Sequence, residues 1–578
     1  MEQKINDKSI WCFILLLLFS VITFPLKLYA IPAYDGTFVV NQPSGVSFEA
    51  KQHGDEWYNW IETKDGYGIS RNSKTGNWEY YVPSADLKAK VQTKLPSGVT
   101  SPIIGKVDPV MLGIPKGLRP PKKQLPDTES AKIFKNRLDK KLPSAAVSGS
   151  KNLLVIAVDY ATTTGTYTPS LIQPLIFGAG DSVADYYKKT SYLSVTINPA
   201  TETNGTSTDG FVGWLRLSGS HPNTGTSIDF RNQQIAKNAI NEADPYINYA
   251  SYDADDDGVV EPTELSIVII VAGYEASYSL DSPSVWGHQW DMSSVGNPIV
   301  DGKEIQQYAQ FGERHGNHLA TIGIMAHELG HLMFSLPDLY DTNMLNGSSE
   351  GIGAFDLMGS GSWGAASGTN DGSYPTQLSA WSKEYLSWGT VNVISSDQSV
   401  SFPKTDGNSS SIFRINTPDS NQYFLLENRQ FSGYDAGFQR YTGPSGHGGL
   451  VIYHIDKLKT NLWPSSNNVN ADENDKGVDV EEANEGSFGS SMLDTNYVRA
   501  NTNMFFFAGN NGAFTNFTTP DSKLKNGSLT NISVTDISAY SDTMTATISF
   551  IADTIPPTVV STNPANNATD VAINPTIT

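Results

Sequence analysis

The segment HELGHLMFSLPDLYD, from His327 to Asp341, constrains the fold more than any other stretch of the 578-residue chain. In ATIGIMAHELGHLMF the apolar residues recur at helical spacing, so His327 and His331 project from one face of a helix about one turn apart. Two imidazoles so placed can share one zinc ion, which accepts neutral imidazole nitrogen at about 2.0–2.1 Å and in catalytic sites takes three protein ligands plus a water. Glu328, beside the first histidine, is placed to act as general base on that water, whose pKa the metal lowers towards about 7. Gly330 costs the helix about 1 kcal/mol relative to alanine. Its missing side chain is therefore expected to allow close backbone packing beneath the metal.

The histidines leave a third ligand to be found. In the metzincin pattern HExxHxxGxxH/D the chain turns at the glycine and returns a ligand shortly afterwards. Here Phe334 stands in the glycine position and Pro337 in the ligand position. Asp338 comes one residue later, and a longer turn through Ser335 delivers its carboxylate, an acceptable zinc ligand. Asp341 and a more distant glutamate are the alternatives.

The same stretch, followed by FDLMGSGSWG from Phe355, resembles the immune inhibitor A family of secreted bacterial zinc metallopeptidases. That resemblance implies an α+β metzincin-like catalytic domain in which a methionine turn forms an apolar floor under the metal. Met358, in DLMGS, matches the methionine. QYFLLENRQ, GGLVIYHID and the N-terminal QPSG, GDEW and KDGYGIS are similar to the β-domain and pro-segment of the same family. The resemblance covers most of residues 31–550.

A second metal site is written in DADDDGVVEPTE. Asp253, Asp255 and Asp257 take positions 1, 3 and 5 of a calcium loop, Gly258 position 6, the Val259 carbonyl position 7, Glu261 position 9 and Glu264 position 12. The next residues, LSIVIIVAGY, are strand-like, so the loop lacks the exiting helix of an EF-hand. Clustered carboxylates repel unless a cation neutralises them.

Around these motifs the chain reads as multidomain, since its length exceeds one compact core. Residues 1–30 carry Lys4 and Lys8 ahead of an apolar run closed by Ala30, the pattern of a signal peptide. The run is short for a membrane anchor, which needs about 20 residues. The only cysteine, Cys12, lies inside it. The exported chain thus has no disulfides, and cores and metals must stabilise it. Residues 31–146 read as a small antiparallel β pro-segment ending in a basic linker, where Lys116 to Lys141 hold nine Lys or Arg against three Asp or Glu. Such exposed linkers are easily cut, and a cut is expected near Lys140 or Lys141. KNLLVIAVDY opens a zinc metallopeptidase domain over 147–392, a β-sandwich follows over 393–552, and 553–578 resemble the start of a truncated immunoglobulin-like module.

A net charge of −21 argues against nucleic acid and against anionic membrane surfaces. His288, His315, His318 and His454 are expected to be structural or to line the cleft. The expected function is that of an extracellular zinc endopeptidase made as a precursor, with Zn2+ and Ca2+ as cofactors and proteins or peptides as substrates. The rival is a secreted binding or adhesion protein with a degenerate peptidase domain.

Overall fold

The apolar run that opens the second part of the chain forms the strand Gly149–Tyr160, and the strand Ser266–Glu275 pairs with it in parallel. Both carry a continuous apolar run and are buried along most of their length, as parallel strands covered on two faces must be. The computed structural model describes residues 31–56, 58–121, 147–225, 229–343, 345–346, 349–486, 492–495 and 498–550. The expected signal peptide, most of the basic linker with its cut, and the immunoglobulin-like start lie outside the described residues.

The mixed sheet runs His288–Asp291, Gln307–His315, Ser266–Glu275, Gly149–Tyr160, Val195–Pro199, with Phe211–Leu217 continuing alongside Gly149–Tyr160. Because side chains alternate along a strand, its residues divide cleanly between two faces. Leu154, Ile156, Val158, Ile267, Ile269 and Val271 pack with the helix Phe230–Ala243. Leu153, Val155, Ala157, Val268, Ile270 and Phe311 face a second core built on the helices Val183–Thr190 and Ile322–Phe334. All thirteen residues of Ile322–Phe334, the helix that carries HELGH, are buried.

Before this domain, five strands between Thr37 and Tyr80 form an antiparallel sheet in sequential order. It docks on the segment after Ser266–Glu275: Tyr34 N–H donates to the Ser277 carbonyl at 2.7 Å, and the Gln52 amide donates to the Ala276 carbonyl at 3.0 Å. After it come a five-stranded sheet, Val391–Ile394 to Val478–Glu481, and a three-stranded sheet of Gln398–Pro403, Thr543–Phe550 and Ile532–Thr535. The core does not stop at the boundary expected at 392. Ile31, Met325, Met358, Phe402, Ile452 and Ile548 belong to one buried cluster. No described helix is long and apolar enough to cross a membrane.

Candidate metal centre

One helical turn brings the Nε2 atoms of His327 and His331 to 3.1 Å from each other, and the Asp338 Oδ1 atom stands 3.2 Å from both. Each ring is oriented from its other nitrogen. His327 Nδ1 lies 3.0 Å from the Leu357 carbonyl and His331 Nδ1 lies 2.7 Å from the Leu336 carbonyl. A carbonyl accepts only, so each Nδ1 carries the proton and each Nε2 turns a lone pair towards the other. Two lone pairs and a carboxylate facing one point in a buried site call for a cation. Zinc fits: tetrahedral ligands at about 2.0–2.1 Å from the metal stand roughly 3.3 Å apart. Burial pushes the His331 pKa down, against the Asp338 charge, so the ring is neutral and ready to ligate. Burial alone would raise the Asp338 carboxyl, but the two histidines hold it below its usual range.

The local chain explains how Asp338 arrives. Ser335 ends the helix in the left-handed region, at φ 51°, and the carbonyls of His331 and Gly330 accept the Ser335 and Leu336 N–H groups. The chain then doubles back and presents Asp338, not Asp341, to the histidines. The Asp341 carboxylate instead accepts the N–H groups of Asn343 and Ser349 within its own loop, and burial pushes its pKa up to about 6. Asp338 makes two further bonds: its N–H donates to Asn467 Oδ1 at 3.0 Å, and its Oδ2 accepts from Asn467 Nδ2 at 2.6 Å.

Met358 is fully buried beneath the helix. A Cβ on Gly330 would stand 2.6 Å from its sulfur, so the glycine is where the helix and the Met358 segment meet. The segment is held by the Asp356 carboxylate, which accepts the Met358 N–H at 2.7 Å and, on its other oxygen, the Ser379 N–H and Ser382 hydroxyl.

Glu328 is wholly buried, and burial first, then the Asp338 charge, raises its pKa well above the usual carboxylate range. Its Oε1 accepts the Ile31 N–H at 3.1 Å. The chain from Ile31 to Asp35 is held by a side-chain contact at every residue. Trp286 and Trp363 donate to the carbonyls of Ile31 and Pro32, at 3.3 and 2.9 Å. Arg499 donates to the Ala33 carbonyl at 3.2 Å, and the Tyr34 hydroxyl donates to Asp371 at 2.6 Å. The Asp35 carboxylate pairs with Arg440 and, at 3.6 Å, with Arg499. From the strand end at Gly54 comes Glu56, 3% exposed, with neither oxygen hydrogen-bonded among the described residues. Burial, then Asp55, Asp338 and Glu328, raise its pKa well above the usual range. The Tyr340 phenol is buried near the same carboxylates, and its pKa is raised by burial and by Asp338.

The acidic loop is folded as a turn about Gly258, at φ 90°, a conformation only glycine adopts freely. Asp253, Asp255 and Glu264 offer oxygens within 4.8 Å of one another, as do Asp255, Asp257 and Glu261. Val259 enters a short strand paired with Glu304. Burial, the hydrogen bond with Glu264 and the Asp257 charge push the Glu261 pKa up to about 7. The Lys303 ammonium stands 2.6 Å from Asp253 and 3.1 Å from Asp256, a cation supplied by the chain itself.

Sequence reasoning missed Asn467, Glu56, Trp286, Lys303 and the arginines at Asp35. Ile31 alone carried a signal, as the first residue after the expected cut at Ala30. His315 lies stacked on Tyr278, with ring centroids 4.3 Å apart, and His288 bridges the Trp286 carbonyl and the Tyr308 hydroxyl.

Residues 158–390 match the family model of immune inhibitor A peptidase M6, catalytic domain. Among curated proteins, the pre-pro-metalloprotease PrtV of Vibrio cholerae serotype O1, from strains M66-2 and ATCC 39315 / El Tor Inaba N16961, is 28% identical over 252 residues. The match covers 38% of this chain and 26% of the relative's length.

Proposed function

Because residues 158–390 are a catalytic domain of the immune inhibitor A peptidase M6 family, a metallopeptidase domain, we propose that the whole chain is a secreted zinc endopeptidase made as a precursor. The observation that carries this reading is the meeting of His327 Nε2, His331 Nε2 and Asp338 Oδ1 within 3.2 Å of one another, with Glu328 on the same helix turn. Zinc, when bound there, polarises the scissile carbonyl and acidifies the attacking water. Glu328 takes the water's proton and hands it to the leaving amine. Leu357 and Leu336 keep both imidazoles in the ligating tautomer, and Met358 against Gly330 fixes the floor, as in a metzincin-like fold.

The pro-segment reading of 31–146 is supported by the Ile31 N–H bonded to the buried Glu328. We assign structural calcium to the 253–264 loop, a staple for a cysteine-free exported protein. The acidic surface and signal-like leader support an extracellular location and protein or peptide substrates.

Casein hydrolysis by the processed protein tests the reading. It should stop with a zinc chelator and return with added zinc. Glu328→Gln should lose nearly all activity yet keep its zinc, because Glu328 is not a ligand. Zinc loss in that variant, or hydrolysis insensitive to the chelator, would refute the assigned chemistry.

A further inference from the structure

The geometry points to Asn467 as a positioning residue of the metal centre, supplied by the β-rich region beyond the matched catalytic residues 158–390; the inference rests on the zinc reading above. Its one side-chain amide engages Asp338 twice. Oδ1 accepts the Asp338 N–H at 3.0 Å, and Nδ2 donates to Asp338 Oδ2 at 2.6 Å. The two bonds fix which end of the amide is which, since an N–H needs an acceptor and a carboxylate a donor. They also fix the Asp338 carboxylate against its own backbone, which leaves Oδ1 as the oxygen aimed at the imidazoles. Both side chains are buried, Asp338 1% and Asn467 2% exposed, so water cannot substitute for either bond.

A neutral donor suits this position. A lysine or arginine would bring a second cation beside the metal, whereas the amide orients the carboxylate and leaves its charge for the ion. Asn467 is also anchored, because the Thr342 hydroxyl donates to its carbonyl at 2.8 Å. Neighbours brace the same return loop: Trp463 Nε1 donates to the Ser335 carbonyl at 2.8 Å and Asn470 Nδ2 to the Leu339 carbonyl at 2.9 Å. Of these, Asn467 alone touches a metal-binding side chain. Outer partners of this kind typically set 10–100-fold in metal affinity.

The test measures zinc affinity of the metal-stripped full chain by competition with a chromophoric chelator, alongside thermal unfolding without metal. Asn467→Ala should bind zinc about 10–100-fold more weakly. Asn470→Ala, which removes a brace but no carboxylate contact, should keep the parent affinity even where it lowers the unfolding temperature. Asn467→Ser retains one hydrogen-bonding group and should fall in the same direction by less; it serves where the alanine variant does not fold. Unchanged affinity in a folded Asn467 variant, or an equal loss in Asn470→Ala, overturns the proposal while leaving the zinc reading standing. A parent whose zinc affinity is unmoved by His331→Ala overturns the zinc reading, and this inference with it.

Discussion

Gly330→Ala sets two known effects against each other at one atom. In an unobstructed helix interior the change is worth about 1 kcal/mol in favour of alanine. Here the new Cβ would stand 2.6 Å from the Met358 sulfur and 3.3 Å from both the Met358 methyl and the Tyr187 hydroxyl oxygen. Met358 is fully buried and cannot swing into solvent, and Tyr187 is fixed by a 2.5 Å bond to the Ala326 carbonyl. Overpacking of this kind costs about 1–3 kcal/mol, so the net effect is a destabilisation of about 1 kcal/mol. For a cooperative unit larger than about 250 residues that corresponds to roughly 1 °C in the unfolding temperature. Calorimetry of the metal-free full chain, at several scan rates, measures it. The decisive control is the same change in a Met358→Ala background, where only the 3.3 Å Tyr187 contact remains and Gly330→Ala should become stabilising by up to about 1 kcal/mol. A parent that gains stability from Gly330→Ala would refute the close contact between glycine and methionine.

Asp338→Ala should strip zinc far more than Asp341→Ala, whose carboxylate serves its own loop; the reverse ranking by metal analysis would remove Asp338 from the site. Calcium should raise the unfolding temperature by mass action, Asp253→Ala with Glu264→Ala should erase the rise, and Lys303→Met should enlarge it by removing a competing cation, so a smaller rise in Lys303→Met would contradict the competition. Asp35→Asn should loosen the 31–35 segment and increase casein hydrolysis by the uncut chain without altering the processed one; equal basal rates would show that the arginine pair does not hold that segment. The processed protein should begin between about Leu142 and Lys151 on N-terminal sequencing, with activity rising as the cut occurs, and full activity in a chain still carrying residues 31–146 would rule out latency.

The helix that carries HELGH was legible because its information is local. Histidines one turn apart, a glycine between them and a turn residue after Phe334 all act within a few residues, and the sequence spacing carries over directly into geometry. That Asp338 and not Asp341 stands beside the two histidines was also readable, since an extra residue in a turn changes little beyond its length. The partners that come from afar were not. Asn467 meets Asp338 across 129 residues, and Lys303 meets Asp253 from a separate hairpin. No periodicity or spacing links such pairs, and WPSSNNVN looks like any polar loop. The pro-segment role expected for 31–146 left open which residue would face Glu328, because that depends on how one sheet docks on another. The expected boundary near 392 marks a change of strand pattern, which composition registers, and not a break in packing, which it does not.

The continuous core has a thermodynamic consequence. Side chains from Ile31 to Ile548 bury one another in a single cluster, so the peptidase helix and the downstream sheets hold free energy in common, and neither can open far without exposing apolar surface on the other. Cooperativity then extends over the whole cluster. A cavity cut beneath Phe402 or Ile548 would shorten the lifetime of the folded His327, His331 and Asp338 cluster.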